Sequence, residues 1–295
     1  MQIKVNDLAV RLTNLDKILW PEPGYTKHDL INYYIQIYPL IKSYLKDRPL
    51  SLKIYPDGIK GSSFYMKNCP DHSPDWLSTG EIFSRKHKES TNWIMINKRA
   101  DLLWVANHAS LELHCWFSRA SNPDIPDFAV FDLDPGQNTT FQDTIEITLL
   151  IKDILAQLKM KAFLKTSGQT GLHVFIPVKP VYSYKQIRHF LKNISTLVAE
   201  TKPELATIAW QKKKRQGKLY LDYRQIARSK TIPAPFSLRP TPEATISTPL
   251  AWSELKPDLN PAGFNLDSIF NRIEHSGNPW QDILHINQNL PGPFV

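Results

Sequence analysis

The stretch FAVFDLDPG, from Phe128 to Gly136, is the feature that most restricts how this chain can fold. Alternate side chains of a β-strand share a face. Phe131 and Leu133 would then enter a core, and the strand would end at the Pro-Gly pair. Asp132 and Asp134 would lie side by side on the opposite surface, where two carboxylates repel each other unless a cation or strong hydrogen bonds offset the repulsion.

Both carboxylates could instead cap the turn that follows, which is a common role for Asp before Pro-Gly. Asp222 shifts the balance, because it lies in a second apolar, strand-like run, LYLDY, where an acid is disfavoured. Three acids that converge from two adjacent strands would form a hard oxygen-ligand site for Mg²⁺ or Mn²⁺. Such a site commonly holds two ions for phosphoryl or nucleotidyl transfer.

Strand-like and helix-like stretches alternate along the chain, and its 23 prolines favour many short connections over a helical bundle. Thr26 and Asp29 predict the start of a helix that Pro39 should kink or split. FQDTIEITLLIKDILAQLKM and YKQIRHFLKNISTLVAE predict two more helices, whereas KAFLKTS and GLHVFIPV predict strands. The alternation predicts an α/β or α+β fold with a mixed sheet flanked by helices.

Composition restricts the class of protein more than its function. The chain has 295 residues, 42% of them hydrophobic and 22% charged, and no apolar run long enough to span a bilayer. The charged start MQIKVNDLAV is unlike a signal peptide, and two cysteines fit a reducing compartment, so we expect an intracellular protein. The net charge of +8 is compatible with a polyanionic partner without requiring one.

The segment TSGQTGLHVFIPV offers a candidate phosphate-binding loop. Gly168 and Gly171 would allow backbone N–H groups to converge on an anion, and Ser167 would add a hydroxyl. His173 lies on the strand that follows. The alternative is a simple hairpin turn with a packed histidine, which is the more common outcome for an isolated SG-x-x-G.

Two short clusters contain residue types that bind zinc: Cys69 with His72, and His114 with Cys115. Neither cluster has the C-x-x-C spacing of familiar structural zinc sites. Adjacent His and Cys residues in a strand also point to opposite faces and rarely reach one ion. The spacing therefore disfavours a zinc site.

Six segments, in the same order, resemble the polymerase domain of bacterial DNA ligase D, a non-homologous end-joining polymerase of the archaeo-eukaryotic primase superfamily. They are LTNLDKILWPEPGYTKHDLINYY, RPLSLKIYPDGIKGSSFYMKN, LELHCWFSR, FDLDPG, SGQTGLHVFIPV and LDYRQIARSKTIPAPFSLRP. The resemblance implies one primase-polymerase domain over residues 1–295 with a mixed, largely antiparallel sheet. Residues 1–125 would contact the 5′-phosphate and the template, and residues 126–295 would carry the metal site.

The resemblance also implies roles for single residues around the reaction. Asp132, Asp134 and Asp222 would hold two divalent cations, Mn²⁺ or Mg²⁺, with His114 as a further catalytic residue near the nucleotide. The positions that match the family's nucleotide contacts are Ser167, Gly168, His173, Gln225, Arg228 and Arg239. Without the resemblance, His114 would be interpreted as a structural histidine and the two arginines as solvated surface charges.

Further matching positions concern DNA. Lys17 and Lys27 match the family's pocket for a 5′-phosphate, and Phe64 and Tyr65 match aromatic residues that stack on template bases. Lys53 and Lys67 would line the template groove, and Arg215 lies in the basic loop QKKKRQGK near primer and nucleotide. Solvated charges and ordinary core packing are the alternatives for these lysines and aromatic residues.

Together these matches imply a DNA-directed nucleotidyltransferase that extends a primer 3′ end with NTPs or dNTPs and fills short gaps during end joining. The implied partners are gapped or broken DNA with a 5′-phosphate, a DNA ligase and a Ku-type end-binding protein, both in trans. We expect a monomer in the cytoplasm, associated with the nucleoid. A de novo primase and a non-catalytic DNA-end-binding module are the alternatives.

Overall fold

The computed structural model describes residues 1–5, 7–84 and 88–292. Its helices are α1 (Lys27–Leu45), α2 (Arg99–Asn107), α3 (Phe141–Gln157), α4 (Tyr184–Thr201) and α5 (Ile269–Ser276). Its strands are β1 (Gln2–Val5), β2 (Leu8–Arg11), β3 (Ile18–Trp20), β4 (Tyr25–Thr26), β5 (Leu50–Ile54), β6 (Phe64–Met66), β7 (Thr79–Ser84), β8 (Glu89–Ile94), β9 (Ser110–Trp116), β10 (Ser118–Arg119), β11 (Asn122–Pro126), β12 (Phe128–Asp134), β13 (Phe163–Thr166), β14 (Leu172–Pro177), β15 (Ala206–Thr207), β16 (Leu219–Leu221), β17 (Thr231–Pro233) and β18 (Pro249–Leu250). Among the described residues, no helix has both the length and the apolar character that crossing a membrane requires.

The chain divides into two compact units. The first unit comprises Met1–Pro123, Thr231–Ser247 and Ala262–Phe270. The second comprises Asp124–Lys230, Thr248–Pro261 and Asn271–Val295. The chain first passes from one unit to the other after Pro123, close to the division predicted near residue 125. The prediction did not include the return of Thr231–Ser247 and Ala262–Phe270 to the first unit. That the chain acts as one domain stays a prediction.

The first unit contains a four-stranded antiparallel sheet with the order β17-β9-β5-β6. Helix α1 belongs to the same unit, where the hydroxyls of two consecutive tyrosines hydrogen-bond it to other segments. Tyr33 donates to the carbonyl oxygen of Phe236 at 2.7 Å, and Tyr34 donates to that of Leu111 at 2.8 Å. These buried hydrogen bonds satisfy polar groups that would otherwise be expensive to remove from water.

Helix α1 begins as predicted, because the Thr26 side chain and the Asp29 side chain each bond to the other's backbone N–H. Pro39 does not split the helix, since α1 is continuous from Lys27 to Leu45, and the alternative that Pro39 kinks the helix stays a prediction. Buried residues lie on both sides of Pro39, among them Ile37 and Ile41. Tertiary packing of this apolar face therefore outweighs the loss of one backbone hydrogen bond.

The second unit contains a six-stranded sheet with the order β15-β16-β12-β14-β13-β18. Within it the β15–β16 pairing is parallel and the other four pairings are antiparallel. Helices α3 and α4 pack together and against strands of this sheet. The predicted mixed, largely antiparallel sheet flanked by helices is confirmed.

Strand β12 lies in the interior of that sheet, between β14 and β16. Phe131 and Leu133 are fully buried, as the alternation of the sequence predicted. At the end of the strand the loop before β14 approaches closely, because a Cβ atom on Gly171 would overlap the carbonyl oxygen of Leu133. Only glycine allows this approach of two backbones beside the two acids of β12.

We expect Gly171→Ala to lower the free energy of unfolding by about 1–3 kcal/mol, because the added methyl group must displace the backbone of β12. The measurement is urea unfolding followed by circular dichroism. Gly263→Ala is the matched control, since no atom lies within 4 Å of a Cβ atom at that position. Unfolding of Gly171→Ala at the wild-type urea concentration would contradict the close approach.

Candidate active site

Strand β12 presents Asp132 and Asp134 on one face of the second unit's sheet. The neighbouring strand β16 is antiparallel, with Leu133 opposite Leu221. One position further, the N–H of Asp222 donates to the carbonyl oxygen of Asp132 at 3.1 Å. Continuing the register puts Asp222 opposite Asp132 on the same face. The structure therefore brings together the three acids that the sequence singled out.

His173 comes to the same face from the other side of β12. The antiparallel pairing with β14 sets His173 opposite Asp132. The Nε2 atom of His173 lies 3.2 Å from the Oδ1 atom of Asp132. His173 is buried, and its ring contacts one of the three acids. Its predicted contact with a nucleotide stays a prediction.

Asp222, like Asp132, already has protein groups beside its carboxylate oxygens. Oδ1 of Asp222 accepts hydrogen bonds from the Tyr220 hydroxyl at 3.1 Å and from the backbone N–H of Arg224 at 3.0 Å. Among residues 1–5, 7–84 and 88–292, no group of three or more His, Cys, Asp or Glu side chains is arranged to hold a metal ion. The three acids thus share one face of the sheet.

Asp134 shows the electrostatic consequence of this crowding. Its side chain is exposed but stands beside a cleft. Partial loss of hydration, together with the negative charges of Asp132 and Asp222, raises the pKa of Asp134 to about 7, while Arg215 acts in the opposite direction. A carboxylate that retains a proton near neutral pH marks a place where a divalent cation would be strongly stabilising.

The cleft beside Asp134 has a volume of about 370 Å³. Lys212, Arg215 and Lys218 supply positive charge to its wall. The guanidinium of Arg215 lies 3.5 Å from the centre of the Tyr220 ring, which also lines the cleft. The cleft therefore combines a carboxylate with cations that can bind phosphate oxygens.

The loop between β13 and β14 differs from the predicted phosphate-binding loop. Its Ser167 Oγ atom accepts hydrogen bonds from the N–H groups of Gln169 at 3.1 Å and Gly171 at 3.0 Å. Gly168 adopts a φ of +77°, in the left-handed region that suits glycine. Two of the N–H groups expected to converge on an anion are thus turned inward. Because Ser167 Oγ accepts these two hydrogen bonds, its hydroxyl proton is available to donate to a ligand.

Gln225 and Arg228 lie after β16. The N–H of Gln225 donates to the carbonyl oxygen of Asp222 at 3.2 Å and closes a turn. The Nε atom of Arg228 donates to Oδ1 of Asp124 at 2.8 Å. Arg228 therefore forms a half-buried ion pair and is not a solvated surface charge. Their contacts with a nucleotide stay predictions.

Glu112 is the centre of a second polar cluster, which lies in the first unit. Its side chain is only 2% exposed. Its Oε2 atom lies 3.1 Å from Nε2 of His114 and 3.3 Å from Nε of Arg239. Its Oε1 atom accepts the Tyr55 hydroxyl at 2.8 Å and pairs with Nζ of Lys53 at 3.3 Å. One buried carboxylate therefore holds four residues, three of which the sequence had marked as functional.

Burial by itself would raise the pKa of Glu112. The hydrogen bond from His114 and the positive charge of Arg239 overcome that effect and lower the pKa to about 2. Burial lowers the pKa of His114, against the raising effect of its hydrogen bond to Glu112. Glu112 is thus a fixed negative charge that orients Arg239 and His114. Arg239 is buried, so its interpretation as a solvated surface charge is wrong.

Glu112 is not among the residues predicted from the sequence to be functional, although the sequence contains a signal for it. In LELHC the apolar residues Leu111, Leu113 and Cys115 alternate with Glu112 and His114. This is the pattern of an apolar strand with two polar side chains on one face, as in FDLD. The same reasoning applied to this segment would have paired Glu112 with His114.

Phe64 and Tyr65 are 53% and 54% exposed on β6, the edge strand of the four-stranded sheet. The alternative of ordinary core packing is therefore wrong for both. The ring of Tyr65 contacts that of His114 edge to face, with 5.9 Å between centroids, and Nζ of Lys53 lies 5.6 Å from the Tyr65 ring centre. Lys67, the residue that follows this strand, is exposed. An exposed aromatic pair beside cations can stack on bases.

Lys17 and Lys27 are close to each other at the start of α1. Lys27 is buried, and its Nζ atom donates to the carbonyl oxygen of Asn107 at 2.9 Å and to Thr13 Oγ1 at 3.3 Å. Burial, followed by the positive charge of Lys17, lowers the pKa of Lys27. Lys17 pairs with Asp57 at 2.6 Å. Lys27 is thus no ordinary surface charge, and an anion bound here would offset both effects.

The residues considered for zinc are otherwise engaged. Cys69 and Cys115 are free thiols. The thiol of Cys69 donates to Ser73 Oγ at 3.2 Å, and His114 faces Glu112. The two clusters therefore form no zinc-binding group in the part of the chain that the structure describes.

Comparison with known proteins identifies curated relatives for most of this chain. It is 33% identical over 283 residues to the "Bifunctional non-homologous end joining protein LigD" of Bacillus subtilis, covering 96% of this chain and 45% of that protein. It is also 33% identical over 272 residues to the "Multifunctional non-homologous end joining protein LigD" of Mycolicibacterium smegmatis, covering 91% of this chain and 35% of that protein. The chain thus spans less than half the length of these relatives.

A solved structure resembles almost the entire chain. It is the polymerase domain from Mycobacterium tuberculosis Ligase D in complex with DNA, with a TM-score of 0.88 and 30% sequence identity. The match covers 95% of this chain and 99% of that one. The profile of the family described as "LigD, primase-polymerase domain" matches residues 26–280. The chain therefore belongs to the LigD primase-polymerase domain family.

Proposed function

We propose that this chain is a DNA-directed nucleotidyltransferase that extends a primer 3′ end with ribo- or deoxynucleoside triphosphates. The observation that carries the proposal is the meeting of Asp132, Asp134 and Asp222 on one face of a sheet. Membership of a primase-polymerase family supports the same reaction. A third acid beside two crowded carboxylates is unfavourable unless a cation is bound there, as nucleotidyl transfer requires.

The donor set fits two divalent cations, Mn²⁺ or Mg²⁺. Carboxylate oxygens are the ligands that these hard ions prefer. Loss of hydration and the negative charges of Asp132 and Asp222 raise the pKa of Asp134, and bound cations would relieve the charge repulsion. Asp132, Asp134 and Asp222 would hold the ions. Bound there, the ions would favour ionisation of the primer hydroxyl and stabilise charge on the departing pyrophosphate.

The chain's own residues bind and orient the substrates. Arg239 would grip phosphate oxygens of the incoming nucleotide with its planar guanidinium, held in place by Glu112. His114, which is hydrogen-bonded to the same buried carboxylate of Glu112, would also contact the nucleotide. Ser167 would donate its hydroxyl proton to a phosphate oxygen, and His173 would keep Asp132 oriented through its Nε2 atom.

The DNA contacts follow from the first unit. Phe64 and Tyr65 would stack on template bases, with Lys53 and Lys67 beside the template phosphates. Lys17 and Lys27 would bind the 5′-phosphate at the downstream side of a gap. The named relatives act in non-homologous end joining, and the similar solved domain is bound to DNA. We propose that this chain also binds DNA and acts in non-homologous end joining. Its role there would be to fill gaps, with a ligase and a Ku-type protein as partners in trans.

Replacing any of the three acids should abolish primer extension. We expect Asp132→Ala, Asp134→Ala and Asp222→Ala each to reduce incorporation by more than about 100-fold, because the loss of a direct metal ligand exceeds that of an outer-shell partner. DNA binding, measured by fluorescence anisotropy, should change little. The assay is extension on a gapped duplex with Mn²⁺, and Asp258→Ala removes an exposed carboxylate of the same unit as control.

No incorporation by the unaltered chain, across Mn²⁺ and Mg²⁺ and both nucleotide types, would remove the proposed function. Tight binding without incorporation would favour the DNA-end-binding module. Synthesis on an unprimed template would favour the de novo primase.

Glu112→Gln should raise the KM for the nucleotide by about tenfold or more with a smaller change in kcat, because Arg239 loses its charged partner. The control is Glu146→Gln, which breaks the exposed ion pair between Glu146 and Lys202. Steady-state kinetics on a primed template separate the two constants. Equal kinetics for Glu112→Gln and wild type would contradict the orienting role.

Glu112 also predicts a pH dependence of stability. Its pKa of about 2 in the folded chain lies below the ordinary value of 4.5, so the ionised carboxylate stabilises the fold at pH values above 4.5. That contribution, on the order of 3 kcal/mol, is lost as pH falls toward 2. The difference in unfolding free energy between wild type and Glu112→Gln should therefore shrink between pH 5 and 2. A constant difference would be inconsistent with the lowered pKa.

Lys27→Met should remove the preference for a phosphorylated gap. We expect the unaltered chain to bind a gapped duplex with a 5′-phosphate about tenfold more tightly than one with a 5′-hydroxyl, and the variant to bind both alike. Met preserves the buried side-chain volume, and Lys60→Met removes an exposed lysine of the same unit as control. Anisotropy at one fixed salt concentration makes the comparison. A preference that survives in Lys27→Met would place the 5′-phosphate elsewhere.

A further inference from the structure

Trp210 differs from the other tryptophans of this chain. It is 64% exposed, whereas the other seven, all among the described residues, are buried or half-buried. An indole ring in water forgoes the stabilisation that burial would give. None of the contacts proposed above uses Trp210. Its exposure leaves a large aromatic surface open to a ligand.

The backbone beneath this exposed ring is fixed. The Nε atom of Arg215 donates to the carbonyl oxygen of Ala209 at 3.1 Å, and its Nη2 atom donates to that of Trp210 at 3.2 Å. The N–H of Ala209 donates to Thr207 Oγ1 at 3.1 Å. Arg215 also stacks on the ring of Tyr220 in β16. The backbone that carries the ring is thus fixed by hydrogen bonds, so a ligand that contacts the ring has less conformational entropy of the protein to overcome.

A second cation lies beside the ring itself. The guanidinium of Arg224 is 5.5 Å from the Trp210 ring centre. The Nε atom of Arg224 donates to the hydroxyl of Tyr223 at 3.3 Å, and its backbone N–H donates to Asp222. An indole beside a guanidinium offers two planar surfaces, and every nucleobase has a face that stacks on such surfaces.

The charge around the ring selects the same class of ligand. Residues 209–224 contain six cationic side chains and one acid. The cations are Lys212, Lys213, Lys214, Arg215, Lys218 and Arg224. Three of them, Lys212, Arg215 and Lys218, also line the cleft beside Asp134. A basic surface thus joins the exposed ring to the acids, and a phosphate backbone complements it.

We propose that Trp210 and Arg224 form a stacking site for an unpaired base of the DNA strand that enters the cleft beside Asp134. The identity of that strand rests on the proposed function. The site is separate in sequence from Phe64 and Tyr65, and it belongs to the second unit rather than the first. It gives the unit with the acids its own contact with single-stranded DNA.

The test measures DNA binding without metal or nucleotide. A labelled duplex with a 3′ single-stranded extension is titrated with wild type, Trp210→Ala, Trp210→Phe and the control Leu197→Ala, which removes an exposed apolar side chain from α4 of the same unit. We expect Trp210→Ala to weaken binding by about 5- to 100-fold and Trp210→Phe to weaken it less, because a ring remains. The control should bind as wild type does.

The extension is then made abasic at one position at a time. At the stacked position the difference between wild type and Trp210→Ala should disappear, because the base that uses the ring is gone. Equal binding by wild type and Trp210→Ala, or the same loss with every abasic DNA, would overturn the proposal. Thermal unfolding should be unchanged in Trp210→Ala, and the wild-type abasic series gives the same answer without any variant.

Failure of this inference and failure of the proposed function are distinguishable. Binding that depends on Trp210 in a chain that extends no primer would support the stacking site and remove the polymerase. Primer extension with binding unchanged in Trp210→Ala would do the opposite.

Discussion

Electrostatic repulsion among Asp132, Asp134 and Asp222 is the constraint around which the second unit is organised. The register between β12 and β16 places the three carboxylates on one face, and the buried alternate residues of β12 prevent the strand from turning that face away. Loss of hydration, followed by the negative charges of Asp132 and Asp222, raises the pKa of Asp134 to about 7. Such repulsion among neighbouring carboxylates is typical of sites where a ligand of opposite charge relieves it.

A second carboxylate shows the opposite solution to the same problem. Glu112 is more deeply buried than Asp134, yet its pKa falls to about 2, because His114, Arg239, Tyr55 and Lys53 surround it with donors and positive charge. A carboxylate satisfied in this way orients its partners and has no need of a cation. The contrast separates an acid that positions residues from acids suited to binding metal.

Exposure separates the aromatic residues in a similar manner. Most aromatic rings of the described residues lie in the two cores, whereas Phe64, Tyr65, Phe83 and Trp210 are more than half exposed. Cations lie beside two of these rings: Lys53 beside Tyr65, and Arg224 beside Trp210. Aromatic faces beside positive charge suit a partner made of flat bases and phosphates.

The sequence by itself determined the strand that carries Asp132 and Asp134, the start of α1 and the mixed sheet, because these depend on local alternation and on capping residues. Tertiary structure alone decided the rest. Tertiary packing keeps α1 continuous through Pro39. Hydrogen bonds to Ser167 Oγ direct backbone N–H groups of its loop inward. The fold also pairs Glu112 with Arg239, which lies 127 positions away in the sequence. Periodicity shows which residues share a face of one strand, but only the folded chain shows which distant side chain meets that face.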